Sequence, residues 1–352
     1  MFFAKKSKGF CIEFGDHTVR VARMSQAAAP TVVEELREFP VEDTDSLLTW
    51  LKGTDGKGPT GLVHATCGVY PPKRIVRRHT LDLKRVKEPA YFTEIYNQQF
   101  RVEADKYVFK TLNSEDGSEY DPAKAGNIKE VLFCGLPSDE VDRTQDKFLE
   151  MGVYPECFEL GTVATLGGLC HYQKFKETKT PVLLLEFGAD NTQSYILSSD
   201  GVEISRPLGS GVASMIPMVQ KELGLKDEES ARKLFYSNTF DFTSMGPTLT
   251  KKLLKELQSS IGFYEVQTGQ SIGAVLCTQL PGTLSWLATA MAGALGVSLF
   301  KMELKPWLES LQITVPENVT PNAPDENWIG LFSLMASYHS TNGVTPPTDQ
   351  KK

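Results

Sequence analysis

The sequence predicts a bilobal α/β protein, on three observations. Apolar strands alternate with helical patterns along most of the chain. The run strand, Glu-Phe-Gly, return strand occurs twice, at Glu13-Phe14-Gly15 and Glu186-Phe187-Gly188, 173 positions apart, and a spacing of about half the chain is what a duplicated fold gives. The 352 residues, 41% hydrophobic and 23% charged, suffice for two domains or one two-lobed body with a buried core. That balance excludes a disordered, collagen-like or small disulfide-stapled chain.

Residues 10–14 and 18–24 read as strands joined through Gly15, with a third at 31–39. A helix over 43–51, capped by Asp43 or Thr44, precedes a buried strand at 61–69 that Pro71-Pro72 ends. Residues 74–82 alternate as a strand, and 86–109 carry a helical pattern ending in Tyr107-Val108-Phe109. The polar, Gly-containing stretch 113–126 is an exposed loop. Strand 130–135, helix 139–151, strand 156–159 and helix 163–174 follow. The second half opens on the most hydrophobic strand, 182–185, then strands 192–197 and 202–206 and helices 212–223, 227–237 and 247–267. The tail 342–352, with Pro346-Pro347 and Lys351-Lys352, is expected to be disordered.

Residues 266–300 contain no charged side chain, which raises the question of a membrane span. The apolar part, 284–300, is 17 residues interrupted by Gly293 and Gly296, whereas a spanning helix needs about 20. A buried strand, a Pro281-Gly282 turn and a buried helix is the reading. The start, Met1 to Lys6, puts its charges after its apolar residues and has no secretory core, so a cytoplasmic location is expected. The six cysteines form no C-x-x-C pair and no metal-like spacing with histidine, so no metal site and no catalytic thiol is expected. Trp50, Trp286, Trp307 and Trp328 read as packing residues.

The net charge of -7, from 37 Lys and Arg against 44 Asp and Glu, argues against nucleic acid as a partner of the whole chain. One basic strip stands against that average: Lys73-Arg74-Ile75-Val76-Arg77-Arg78-His79 with Lys84, Arg85 and Lys87. It reads either as a solvated strand face or as a surface for an acidic protein segment or anionic lipid.

The repeated Glu-Phe-Gly hairpin carries chemistry. A glycine at the tip of a tight turn lets backbone N–H groups approach a phosphate, a hydroxyl adds a donor, and a strand-end acid holds Mg²⁺ through water. Two such hairpins across a cleft would grip a nucleotide's phosphates from both sides; two ordinary hairpins are the other reading.

The order of pieces resembles the actin-like ATPase superfamily and, within it, the PilM family of type IV pilus assembly, with FtsA as a more distant relative. Residues 13–20 (Glu-Phe-Gly-Asp-His-Thr-Val-Arg) stand where that family has its first phosphate loop. Residues 69–78 resemble the strand entering an inserted subdomain, 1C, and 103–109 the E-A-E-Q-Y-I-P-F segment inside it. Residues 131–169 are similar to the family's closing strand, helix, Gly-Val-Tyr-Pro, strand and helix. Residues 186–192, 206–211 (Arg-Pro-Leu-Gly-Ser-Gly) and 256–264 resemble the second phosphate loop, the I-P-x-G-G loop and the R-S-L-x-F-Y helix. The resemblance runs from about residue 8 to residue 340.

It implies a bilobal actin-like fold, a duplicated ribonuclease-H-like unit. Subdomain 1A would comprise 1–72 and 156–180, 1C would comprise 73–155, and 181–341 would form the second lobe. It implies ATP and Mg²⁺ as cofactors, held by Glu13, Gly15, His17, Thr18, Glu186, Gly188, Asp190, Asn191, Thr192, Gly209, Ser210, Gly211, Pro281 and Gly282. It also implies docking of the cytoplasmic N-terminal segment of a PilN-like inner-membrane protein in a groove between 1A and 1C. Arg74, Val76, Arg77, Arg78, Lys84, Arg85, Tyr107 and Phe109 are the candidate contacts.

The nucleotide pattern is damaged in four places. Both strand-end acids are Glu13 and Glu186 rather than Asp, which moves a carboxylate by about 1.5 Å in a site where Mg²⁺ demands octahedral geometry. Asp16 replaces a small hydroxyl residue. The glycine run of the adenosine loop is replaced by Cys277-Thr278-Gln279-Leu280, and Arg232 and Phe235 stand at the usual Glu and Lys positions of a neighbouring helix. These departures predict weakened or lost ATP binding and no hydrolysis. The expectation is therefore a cytoplasmic scaffold, not an enzyme, that meets the inner membrane only through its partners, with self-association left open. The alternatives are an active ATPase or phosphotransferase of this fold, and an FtsA-like filament former.

Overall fold

The computed structural model describes residues 8–54, 57, 61–124, 126–319 and 324–336. The expected disordered tail lies outside them.

The first lobe begins with strands β1 (Gly9–Phe14), β2 (Thr18–Met24) and β3 (Thr31–Pro40), then helix α1 (Thr44–Gly53) and β4 (Val63–Val69). Asp43 caps α1 by accepting from the Ser46 N–H at 3.2 Å. After Pro71-Pro72 the chain leaves this sheet for a three-stranded one. That sheet is built from β5 (Ile75–Thr80), a short helix α2 (Tyr91–Ile95), β6 (Tyr107–Asn113) and β7 (Glu130–Pro137) in the order β5-β7-β6. Helix α3 (Ser138–Glu150), strand β8 (Val153–Leu160) and helix α4 (Gly161–Phe175) lead back.

The second lobe holds β9 (Val182–Phe187), β10 (Thr192–Ser198), β11 (Gly201–Leu208), helices α5 (Ile216–Glu222), α6 (Glu228–Phe235) and α7 (Gly246–Thr268), strand β12 (Ala274–Thr278), helix α8 (Trp286–Leu295) and β13 (Ser298–Leu299). Helix α9 (Leu304–Ser310), β14 (Ile313–Thr314) and helix α10 (Ile329–Met335) close the chain.

Duplication is visible in the topology. One sheet runs β14-β3-β2-β1-β4-β8 and the other β11-β10-β9-β12-β13. In each, three antiparallel strands are followed by strands added in parallel to the first. Even the turn bond repeats: Gly15 N–H donates to the Thr18 carbonyl and Gly188 N–H to the Asn191 carbonyl, both at 2.9 Å. The uncharged run 266–300 is the end of α7, then β12, a turn, α8 and β13. No helix among the described residues is long and apolar enough to cross a membrane.

The helical pattern expected over 86–109 is corrected. Regular α-helix stops at Ile95, a wider turn covers Tyr96–Phe100, and Arg101 at φ 57° reverses the chain. Tyr107 and Phe109 then alternate with exposed Val108 along β6.

Packing also redistributes the expected segments. Phe148 of α3 is buried among Phe10, Ile12 and Val69, so α3 belongs with the large first sheet, and the chain of the small sheet runs only from 75 to 137. Beyond residue 300 the chain does not stay in the second lobe. Strand β14 pairs with β3, Trp307 and Leu308 join the first core, and α10 lies on α4. Close approach is possible because Gly68 and Gly168 leave room: a methyl at either would collide with Leu334 or with Ser333 of α10. Helix α4 is the common wall, its Leu166, Leu169 and Tyr172 sharing one core with Val76 of the small sheet and Leu184 and Tyr195 of the second lobe.

Candidate functional site

The two Glu-Phe-Gly hairpins face each other across the cleft, each with its acid buried at the end of the central strand. Glu13 is 2% exposed and Glu186 is fully buried. Glu13 accepts the Tyr70 hydroxyl at 2.6 Å and meets the Arg20 guanidinium at 3.4 Å. Burial raises its pKa even against those partners. Arg20 is itself fixed by Glu38 at 2.6 Å and by the Asn327 carbonyl at 2.9 Å.

Glu186 is held by the Arg74 guanidinium and by the Thr162 hydroxyl at 2.8 Å. Arg74 reaches it from the segment between β4 and β5, where it also donates to Thr162 at 2.9 Å and to the Tyr70 and Pro71 carbonyls at 3.0 and 2.9 Å. One guanidinium thus ties the first lobe, the entrance of the small sheet and the second lobe together.

The turns between the acids are covered by the chain itself. A methyl at Gly15 would strike the Gln279 carboxamide, and one at Gly188 would lie 3.4 Å from the Asp16 carboxylate. Burial raises the pKa of Asp16. The loop Gly209-Ser210-Gly211 donates to one carboxylate, Glu256, through the Gly209 N–H at 2.8 Å and the Ser210 hydroxyl at 3.2 Å. Thr192 donates to the Ser210 carbonyl at 2.8 Å, and the N–H groups of Val212 and Ala213 donate to the Gly188 and Ala189 carbonyls. His17 packs its ring 6.0 Å from Tyr236, and burial holds it below the usual histidine range. Thr18 closes the first turn through its carbonyl, Asp190 is exposed, and Asn191 accepts from Gln193 at 3.3 Å. Pro281 and Gly282 open a short turn after Gln279, itself at φ 60°.

The basic strip divides. Arg74 is consumed by the cleft, its side chain 6% exposed, and Val76 is buried in the core, so neither lies on a partner surface as expected. The reason is that the entrance of the small sheet packs on the second lobe, where Arg74 meets Glu186 and Val76 joins the core with Leu184 and Tyr195. Arg77 is half-buried, and burial lowers its pKa. Arg78 pairs with Glu130 at 2.8 Å, and Arg85 pairs with Glu88 and Glu94 while lying over the Tyr91 ring. Lys84 is exposed. Tyr107 and Phe109 are half-buried in a stacked ladder, Phe109 parallel to Tyr96 with centroids 4.0 Å apart.

Sequence reasoning missed Thr162, Tyr70 and the covering role of Gln279. It also missed a cavity of about 340 Å³ beside the first hairpin, lined by Phe14, Pro71, Pro72, Phe148, Arg143 and Lys147 among others. Lys147 sits 4.1 Å over the Phe14 ring. Nothing local in the sequence placed α3 against β8, where Phe148 joins the core of the first sheet.

A chain of the PilM-PilN type IV pilus biogenesis complex superposes with a TM-score of 0.65 at 16% identity, over 97% of this chain and 100% of that one. The fold is the bilobal actin-like fold. A protein from Bacteroides thetaiotaomicron described as having an actin-like ATPase fold and unknown function matches at a TM-score of 0.42 and 9% identity, over 88% of this chain and 96% of that one. Apo ParM of pSK41 matches at 0.38 and 10%, over 94% and 96%. No family model and no curated protein matches the sequence.

Proposed function

We propose that this protein is an actin-like scaffold of a type IV pilus or related secretion machine, which docks the short cytoplasmic segment of a PilN-like inner-membrane protein and does not use ATP. One contrast carries the reading. The Glu13 carboxylate, one oxygen of Glu186 and the donors of Gly209 and Ser210 are engaged by the chain's own side chains, while a cavity beside the first hairpin, reaching Gly15 and Asp16, is open toward the entrance of the small sheet.

The residues of the cleft do not fit Mg-ATP. Mg²⁺ keeps several waters and takes one or two free carboxylates. Here Glu13 and Glu186 are buried, Glu13 is bonded to Tyr70 and Arg20, and one oxygen of Glu186 is taken by Arg74 and Thr162, leaving only its other oxygen unpartnered. The glycine turns that would approach phosphate are covered by Gln279 and Asp16, and Asp16 would set like charge against like. The donors of Gly209 and Ser210 are taken by Glu256.

The open cavity supports peptide docking. Its floor is apolar, from Phe14, Pro71, Pro72 and Phe148, and its polar wall holds Lys147, Asp16 and an Arg143 paired with Glu140 at 2.8 Å. Such a site takes an apolar anchor residue in an extended segment and needs no nucleotide chemistry. The likeness to a chain of a PilM-PilN complex supports the class of partner.

Calorimetry with the cytoplasmic N-terminal peptide of the membrane protein encoded beside this chain tests the reading. Binding that Arg143→Glu and Lys147→Glu weaken at least tenfold is expected, with no thermal shift on adding Mg-ATP. A micromolar Mg-ATP response without peptide binding sinks it and restores the ATPase alternative.

A further inference from the structure

The outer face of α7 lies far from the peptide cavity in sequence and in lining residues, and it combines features that no part of the docking reading uses. Val266 is 87% exposed and Phe263 is 56% exposed, the two most exposed large apolar side chains among the described residues. At about 100° per residue, they fall on one third of the helix circumference with Lys251, Lys252, Lys255 and Ser259. All three lysines and Ser259 are exposed, and no carboxylate falls within that third. The opposite face, Leu249, Leu253, Leu257 and Tyr264, is buried in the second-lobe core. A cationic and apolar stripe about 22 Å long therefore stands on a chain whose net charge is -7.

A second cavity, of about 450 Å³, adjoins the apolar end of the stripe. Phe263, Ser259 and Ser260 line it from α7, and Arg206 and Arg78 line it from β11 and β5, against a single lining carboxylate, Glu203. Arg206 donates to the Ser260 hydroxyl at 3.0 Å, which holds its guanidinium at the cavity wall. Arg78 pairs with Glu130 through a terminal nitrogen at 2.8 Å, and its Nε has no hydrogen-bond partner.

We propose that this face rests on an anionic phospholipid surface, with Phe263 and Val266 entering the headgroup layer and the lysines and Arg206 facing lipid phosphates. Charge complementarity selects this occupant. Lysines gathered on an exposed helical face attract an anionic leaflet, and exposed apolar residues beside them add partition into the interface. A protein docked on a membrane-anchored peptide would gain a second, weaker foothold, and two weak contacts multiply. The face is nevertheless read on its own terms, since vesicles carry no peptide.

Co-sedimentation of the whole chain with phosphatidylglycerol/phosphatidylethanolamine vesicles, and with phosphatidylcholine vesicles, tests this at low and at 0.5 M salt. Binding to the anionic vesicles that high salt abolishes is expected. Lys251→Gln/Lys252→Gln/Lys255→Gln should lower the partition coefficient roughly a hundredfold. Phe263→Ser/Val266→Ser should lower it about tenfold or more. All five positions are exposed, so unchanged melting confirms folding, and unchanged affinity for the partner peptide separates this result from the docking reading. Equal binding to phosphatidylcholine, or binding indifferent to the lysine variant, overturns the proposal. So does inorganic phosphate binding without vesicle binding, or a self-associated form that Phe263→Ser dissociates while vesicles are ignored.

Discussion

Replacing Arg74 by Met tests how much of the molecule hangs on one guanidinium. The variant leaves Glu186, fully buried, with only the Thr162 hydroxyl as a partner, and leaves the Tyr70 carbonyl without its guanidinium donor, while the Pro71 carbonyl keeps the backbone N–H of residue 74. Breaking a buried pair by removing one partner costs about 3–5 kcal/mol, because the remaining charge is uncompensated. That is a large share of a total stability of about 5–15 kcal/mol. At about 2 °C per kcal/mol for a chain of this size, melting should fall by roughly 6–10 °C. The double variant Arg74→Met/Glu186→Leu removes both charges and should recover most of the loss, since an apolar pair of similar volume often matches a buried ion pair. Denaturant titrations of wild type, both singles and the double complete the cycle. A single-variant loss under about 1 kcal/mol, or a double variant as unstable as the sum of the singles, would refute the assignment of Arg74 as the tie between the lobes.

Gly330→Ala should destabilise the chain by about 2 kcal/mol or more in a denaturant titration, because its methyl collides with the Glu13 carboxylate. The contribution of the buried histidines to stability should fall below about pH 6.5, against an opposite contribution from Glu13 and Asp16, whose pKa burial raises. Burial lowers His17, His79 and His171 in the folded state, so the unfolded chain binds more protons as pH falls below the free histidine value. Stability from these groups is thus complete above that value and lost beneath it, and His17→Asn should flatten the dependence of melting on pH between 7.5 and 5.5. Phe109→Ala should remove the stacking on Tyr96 and weaken peptide docking in calorimetry more than it lowers melting.

Much of the architecture was legible from short patterns. The Glu-Phe-Gly repeat announced two equivalent hairpins, and the structure gives both the same turn bond and the same strand order. Gly293 and Gly296 correctly weighed against a membrane span, since α8 is only ten residues long. Residues 86–109 misled because Tyr, Phe and Ile satisfy helical and strand periods alike over short windows, and the reversal at Arg101 is a backbone event with no glycine to mark it. Arg74 misled for a different reason. A run of basic residues looks like surface, and the buried acid that neutralises it lies 112 positions later. The covering of the cleft was equally silent, because only the meeting of two lobes brings Gln279 to Gly15, and Glu256 reaches Gly209 and Ser210 from 46 or 47 positions away.

The return of the chain end to the first sheet has a consequence for the order in which the molecule can assemble. The strands and helices of the second lobe, from β9 to β13, are continuous in sequence, whereas the first sheet needs β14 and α10 to complete its edge and cover its inner face. A ribosome releases those pieces only after the second lobe. The amino-terminal half therefore waits, partly uncovered, for about 160 further residues, while the half made later can close as soon as it emerges. Synthesis runs from the first lobe to the second, and folding should run the other way, which makes the unfinished first sheet the part of the nascent chain most in need of a chaperone.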